Sequence, residues 1–246
     1  MQKSSQTNSK SAKLKAPAAK KAKEIIVAKN IHKVYGKKSS EFQALQGLDF
    51  KLQRGESVAI IGKSGSGKST LMHLLATLDA PTTGSIEIDG RDITGLGASQ
   101  IDKIRNQKFG FVFQQFFLNP NDTVLENVAT PLLIRGASKS ERQELAREAL
   151  EAVELLDKAN NKAKDLSGGQ KQRVCIARAI VTSPEVIFAD EPTGNLDSNT
   201  GAQVEDLLFK LNKEKGITLI IVTHDEALAK RCSRRIQIKD GKIIKN

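Results

Sequence analysis

At 246 residues the chain has room for one or two domains, and 39% apolar residues supply an ordinary hydrophobic core. Aromatics make up only 4%, with no Trp and a single Tyr, which argues against a single-strand nucleic-acid binder built on stacking platforms. The formal charge of +11 is uneven: residues 1–23 carry seven lysines and no acid, which leaves +4 for everything after them.

In chain order the lysine-rich tail 1–23 comes first. Rich in Ser, Ala and Gln besides, it cannot bury enough surface to fold and is expected to be disordered. Three readings of it stay open: a solvating tail, a contact to an anionic membrane face worth about 1 kcal/mol per Lys close to the surface, and a contact to nucleic acid. It has charge without an apolar h-region, so it does not read as a secretory signal. No apolar run in the chain approaches the ~18 residues of a membrane span. The two cysteines, Cys175 and Cys232, lack the spacing of a disulfide scaffold or a zinc site, so a reducing, cytoplasmic setting is the default.

From residue 24 strand-like and helical stretches alternate. Glu24–Asn30 and Phe42–Leu52 read as strands, the second interrupted at Gly47, and Ser57–Ile61 is a short apolar strand of the kind buried on both faces of a sheet. A glycine-rich loop leads into a helix from about Lys68 to Leu78. After the turn Pro81–Gly84, Ser85–Ile88 and Phe109–Phe113 are strand-like. Between about 115 and 165 the strands disappear. Ser138 to Glu141 has capping-box spacing, and Leu145, Ala149, Val153 and Leu156 recur behind it at helical intervals, marking an inserted helical subdomain. The alternation then returns: a strand at Val186–Ala189, a helix over about 199–215 stopped by Gly216, and a strand at Ile217–Thr223. Arg235–Lys239 and Lys242–Lys245 form a hairpin about Asp240-Gly241. The whole predicts an α/β domain over 24–246 with a mainly parallel sheet.

Three motifs carry chemistry. Gly62, Lys63, Ser64, Gly65, Ser66, Gly67, Lys68 and Ser69 fit G-x-x-x-x-G-K-[ST] between a strand and a helix, with Thr70 next in that helix. Such a loop turns its N–H groups inward on phosphates, and the helix N-terminus adds its positive dipole end. Lys68 reaches the β- and γ-phosphates and the Ser69 hydroxyl can ligand Mg²⁺. The second motif is the apolar strand ending in Asp190 and Glu191, which puts two carboxylates at the sheet's C-terminal edge, where open α/β sheets bind ligands. Alone it reads as a solvated strand end. Beside a phosphate loop, Asp190 is placed to hold Mg²⁺ and Glu191 to orient and deprotonate a water. The third is Leu166-Ser167-Gly168-Gly169-Gln170, a second anion-type site at the start of a helix from about Gln170 to Val181. The helical insert carries it away from Lys68, so it calls for a second chain facing the first head to tail.

This set resembles the nucleotide-binding subunit of ABC transporters over about residues 24–246. The resemblance implies a P-loop NTPase of ABC type, with an antiparallel β subdomain added to the parallel core. It also implies ATP and Mg²⁺, with each ATP sandwiched between one protomer's phosphate loop and the other's Ser167–Gln170 loop. Residue by residue, Tyr35 matches the aromatic that stacks on adenine, and Gln114 the glutamine that contacts Mg²⁺ and water and relays to the membrane partner. Asp197 matches the aspartate of the loop crossing the dimer interface, and His224 the histidine that holds the γ-phosphate. Taken singly, Tyr35 reads as a surface aromatic, Gln114 as a solvated loop residue and His224 as a strand-end histidine.

The strings Leu78–Gly84, Phe109–Gln114 and Ala189–Ser198 resemble the macrolide-exporter and lipoprotein-release group, which includes the ATPase of bacterial cell division. The implied setting is the cytoplasmic face of the cell membrane, as a peripheral subunit beside a separate four-helix permease with a large external domain. No nucleic acid is expected. Phe116–Asp122 departs from the Leu-Leu-Pro-type run usual after the glutamine, at the place where the permease should dock. Ala163 stands for a common proline and Lys171 for a common glutamine, and neither is expected to affect hydrolysis. Two rivals remain. One is a soluble ABC ATPase of the iron–sulfur cluster assembly type; the other is a regulator of cell-wall hydrolysis that transports nothing.

Overall fold

The computed structural model describes residues 24–37 and 40–245; the lysine-rich tail 1–23, expected to be disordered, lies outside them. In chain order the elements begin with β1 (Glu24–Tyr35), β2 (Phe42–Gln53), β3 (Ser57–Ile61), α1 (Lys68–Leu75), β4 (Thr83–Ile88) and β5 (Arg91–Asp92). There follow α2 (Ala98–Lys108), β6 (Phe109–Phe113), α3 (Val124–Ile134), α4 (Lys139–Ala152) and α5 (Gly168–Ile180). The last are β7 (Val186–Asp190), α6 (Ser198–Lys215), β8 (Thr218–Val222), α7 (Glu226–Arg231), β9 (Arg234–Lys239) and β10 (Lys242–Lys245).

One sheet has the order β2-β1-β4-β5 and is antiparallel throughout. The other runs β10-β9-β3-β8-β7-β6, parallel from β9 to β6 with β10 antiparallel at the edge. The short apolar strands explain the second sheet's two-sided burial. Side chains alternate faces along a strand, so Val58, Ile60, Val186, Phe188, Ile220 and Val222 face one core with α1 and the antiparallel sheet. Ala59, Ile187, Ala189, Leu219 and Ile221 face the other, with residues of α3 to α7. The helices α1 and α5 thus lie on opposite faces of the parallel sheet.

Local chemistry accounts for the ends of elements. Asp240 (φ 48°) and Gly241 (φ 73°) make the left-handed pair that a two-residue hairpin needs. Gly216, at φ 65°, caps α6 in the left-handed conformation. Ser138 caps α4 by accepting from the Glu141 N–H. The expected helix from Lys68 to Leu78 stops at Leu75, because Thr77 turns left-handed at φ 57°. Leu156 is not part of the apolar stripe: α4 ends at Ala152, and Leu156 opens a short 3-10 turn with 38% of its surface exposed. Two helices, α2 and α7, had no sequence expectation. The stretch 115–165 holds α3 and α4 and no named strand. Among the described residues no helix is long and apolar enough to cross a membrane.

Candidate functional site

The strand register builds the site. Ile60, Val222, Asp190 and Phe113 are consecutive partners across β3, β8, β7 and β6. The residues just beyond that row are therefore the phosphate loop from Gly62, the Thr223–His224 pair, Glu191 and Gln114. Four sequence motifs up to 162 positions apart, from Gly62 to His224, leave the same edge of the sheet, at the C-terminal ends of its strands.

The loop from Gly62 to Gly67 has a shape that only glycine permits at its two ends. A Cβ on Gly62 would sit 2.3 Å from the Ile238 carbonyl oxygen, and one on Gly67 2.7 Å from that of Ala44. Gly67 is left-handed at φ 105° and caps α1 with no side-chain hydrogen bond, so the first-turn N–H groups of α1 have no side-chain acceptor at the cap among the described residues. The Lys68 ammonium donates to the Lys63 carbonyl at 3.0 Å and so stays inside the loop rather than on a carboxylate. Ser66 is buried and its hydroxyl has no partner among the described residues. The C-terminal hairpin braces the loop from outside: Gly241 N–H donates to the Ser66 carbonyl at 3.0 Å. This combination of unpaired donors and a fixed cation fits a chain of phosphates. Ser64, Gly65 and Ser69 are exposed and Thr70 is half-buried beside them.

Asp190 ends β7 half-buried, and its carboxylate accepts no hydrogen bond among the described residues. Burial, with a smaller push from Glu191, raises it above its ordinary value, while His73 and Lys68 pull it back. A desolvated, unpaired carboxylate beside a phosphate loop fits a cation such as Mg²⁺. Glu191 follows in a left-handed conformation, φ 45°, held by its N–H on the Val222 carbonyl at 2.9 Å. Its carboxylate accepts from His224 Nδ1 at 2.8 Å and from the Thr223 hydroxyl at 3.3 Å. The His224 side chain is 79% exposed, so with Nδ1 on the carboxylate its Nε2 faces outward. The sequence singled out both residues but not this bond.

Gln114 is exposed and its amide donates to Asn195 Oδ1 at 3.2 Å, while Asn195 Nδ2 returns a bond to the Gln114 carbonyl at 2.9 Å. This two-way tie joins the end of β6 to the loop carrying Asp197. Asp197 itself is exposed and caps α6, accepting from the Thr200 N–H at 3.0 Å; the Thr200 hydroxyl first, and this N–H second, hold its carboxyl below the ordinary value. Tyr35 donates to Asp79 at 2.8 Å and has the Lys33 ammonium 4.8 Å from its ring centre. Neither contact is expected from the sequence: Asp79 stands in the Leu78–Gly84 string without a role there, and Lys33 is part of no motif. Ser167, exposed, caps α5 and exchanges a reciprocal pair of bonds with Gln170. Gly168 is exposed and Gly169 buried, the latter against Thr200 of α6. Because α5 and α1 pack on opposite faces of the sheet, the Ser167–Gln170 turn and Lys68 open helices on different sides of it.

A family model described as ABC transporter matches residues 45–194. The chain belongs to that family. It is 45% identical over 220 residues to the lipoprotein-releasing system ATP-binding protein LolD of Syntrophus aciditrophicus, covering 89% of this chain and 99% of the relative. It is 46% identical over 220 residues to the macrolide export ATP-binding/permease protein MacB of Aggregatibacter actinomycetemcomitans, where it matches 34% of the longer protein. The dimeric structure of MJ0796, a bacterial ABC transporter cassette, superimposes with a TM-score of 0.81 at 45% identity, covering 89% of this chain and 97% of that one. A post-hydrolysis state of the same cassette bound to ADP and Pi matches equally, with a TM-score of 0.81. This chain is thus an ATP-binding, ATP-hydrolysing ABC subunit of the group of LolD and MacB, with the P-loop NTPase fold expected of it.

Proposed function

We propose that this subunit powers a membrane permease by closing, head to tail with a second copy, over two ATP molecules. The observation that carries the reading is the single row of strand ends that brings the phosphate loop, Asp190–Glu191, His224 and Gln114 together. Gly62 to Thr70 wrap the phosphates, Lys68 leaves the Lys63 carbonyl for their β- and γ-oxygens, and Tyr35 stacks on the base. Ser69, Asp190 and Gln114 hold Mg²⁺, which when bound neutralises the charge on the transferred phosphoryl group. Glu191 accepts the proton of the attacking water, its carboxylate aimed by Thr223 and His224. His224 Nε2 faces the γ-phosphate, and Ser167, Gly168, Gly169 and Gln170 of one copy close the site of the other across the Asp197 loop.

The permease docks on a cleft of about 590 Å³ over the edge strand β6, lined by Phe111, Phe113, Phe117, Pro131 and Ile134 among others. Phe117 (65% exposed) and Ile134 (74%) are large apolar residues held in solvent there, as an interaction surface requires. Relatives named for lipoprotein release and macrolide export make release or export the favoured work, on the cytoplasmic face of the membrane. The tail 1–23 adds a contact to anionic lipid. A tagged Glu191→Gln chain extracted in mild detergent with ATP and Mg²⁺ should bring down an integral permease with a large external domain, and the same chain with Ile134→Asp should not. Recovery of soluble partners alone would overturn the transporter reading in favour of a cluster-assembly role.

A further inference from the structure

The helix behind the Ser167–Gln170 turn grips the loop that carries Gln114. Three side chains of α5, three residues apart, reach main-chain oxygens of that loop. Gln172, fully buried, donates from one nitrogen to the Phe113 carbonyl at 3.2 Å and to the Pro192 carbonyl at 2.6 Å. The Cys175 thiol donates to the Phe116 carbonyl at 3.1 Å. Arg178 places its two terminal nitrogens on the Phe117 carbonyl at 2.7 Å and the Phe116 carbonyl at 2.9 Å. Carbonyls immediately before and shortly after Gln114 are thus held by one rigid element, and Pro192 follows Glu191 directly. The approach is close because Gly110 permits it: a Cβ there would lie 2.4 Å from the Ala179 carbonyl.

Phe117 needs such a hold. It is a bulky aromatic at φ 45°, a conformation that costs energy unless its surroundings impose it. Its ring meets Phe113 edge-on at 5.7 Å, so the grip also sets the apolar wall of the cleft over β6. At its other end α5 touches the loop of Asp197 through Gly168 against Leu196, and the first turn of α6 behind that loop through Gly169 against Thr200. One straight helix therefore contacts the loops of Asp197, Glu191 and Gln114.

We propose that Gln172 and Arg178 are positioning residues for hydrolysis: they couple the position of the Ser167–Gln170 turn to that of Gln114, and Gln172 to that of Glu191 as well. The inference rests on the role given above to Gln114 and adds the residues through which it is controlled. A helix that shifts when its N-terminus meets nucleotide must then carry Gln114 with it, because the bonds from Gln172, Cys175 and Arg178 tie it to the carbonyls on both sides of Gln114.

The test is a double-mutant cycle on the full chain, read as kcat and KM for ATP, with thermal melting and ATP-driven dimerisation followed for every variant. Arg178→Met should lower kcat about tenfold, the scale of a small misplacement of a reacting group, while KM and the dimer are kept. Arg178→Lys, whose ammonium still donates to the same carbonyls, should recover most of the loss. Gln114→Ala with Arg178→Met should be no slower than Gln114→Ala alone, because both act at one place. A wild-type kcat for Arg178→Met, or a double variant slower by the full product of the two losses, would overturn the coupling. A wild-type kcat for Gln114→Ala would instead sink the assignment of Gln114 itself. Should Arg178→Met fail to fold, Cys175→Ala and Gln172→Met enter the same cycle with the same expected non-additivity.

Discussion

Gly169→Ala offers a sharp test of how the Ser167–Gln170 turn is held, because propensity and packing predict opposite signs. Within a helix Ala is favoured over Gly by about 0.5–1 kcal/mol, so in an open setting the change stabilises. Here the new Cβ would lie 2.1 Å from Thr200 Cγ2. Carbon atoms rest at about 3.5–4.0 Å, so the two helices must part by roughly 1.5 Å or Thr200 must turn away. Thr200 is stiff at its β-branched carbon, and its N–H is tied to Asp197 at 3.0 Å. Overpacking of this kind costs about 1–3 kcal/mol, which outweighs the propensity gain. At about 2–4 °C per kcal/mol for a chain of this length, the melting temperature should fall by several degrees. ATP-driven dimerisation should weaken with it, since the displaced turn is the one offered to the second copy. Thr200→Ser removes the clashing methyl and leaves Cβ and Oγ1 at 3.6 and 3.9 Å, ordinary contacts. In that background Gly169→Ala should be neutral or stabilising. A raised melting temperature for Gly169→Ala alone would refute the reasoning outright.

Glu191→Gln should keep ATP binding and accumulate the closed dimer while kcat drops about 10²–10⁴-fold, the usual contribution of a general base; near-normal turnover would remove Glu191 from that role. A second expectation concerns acid. Lys108 bridges Asp89 and Glu185 at 2.5 and 2.6 Å, and Arg54 bonds the same two carboxylates. Burial pushes both carboxyls up, but Lys108 and Arg54 outweigh it and hold both below their ordinary values. A carboxyl depressed in the folded state stabilises fully above its unfolded value near pH 4 and loses that contribution as pH falls through the folded one. The urea midpoint should therefore drop more between about pH 5 and about pH 3 in the wild type than in Asp89→Asn/Glu185→Gln, and an equal drop would refute the assignment. Finally, burial pushes the thiols of Cys175 and Cys232 up to about 11 and about 12, so neither should alkylate at neutral pH until the chain is unfolded; fast native labelling would contradict their burial.

What the sequence made legible followed from local physics, and what it hid followed from distance. The strands Ser57–Ile61 and Phe109–Phe113 stand where their apolar runs put them, because a strand buried on both faces leaves no other pattern. Helix α2 escaped because none of its residues is buried: Ala98–Lys108 has only Ile101 and Ile104 as apolar anchors and no stripe to detect. Helix α7 is six residues long, too short for a period. The bonds that aim the site join residues far apart in the chain: Glu191 to His224, Gln114 to Asn195, Tyr35 to Asp79. Nothing in the local sequence of any partner encodes these pairings. They exist because adjacent strand ends deliver their loops side by side. Gln172 and Arg178 were invisible for a related reason: inside a helix, a polar residue that grips a carbonyl looks like any solvated one.

The opposite-face placement of α1 and α5 carries one more consequence. If each ATP is held by Lys68 of one copy and Ser167 of the other, the two residues can be broken on different chains and still leave one working site. Lys68→Ala removes the cation of the phosphate loop but leaves that chain's Ser167–Gln170 turn intact. Ser167→Asp puts a carboxylate where a phosphate must approach but leaves Lys68. Each variant alone should be inactive, because both of its composite sites lack one half. Mixed in equal amounts, the heterodimer pairs the Lys68 of one chain with the Ser167 of the other at a single site, and ATPase activity should return to a fraction of the wild-type rate. A site complete within one chain predicts no such recovery, since every chain in the mixture is broken. Recovery on mixing, lost again on dilution below the dimer's dissociation constant, separates the two arrangements without any structure of the dimer.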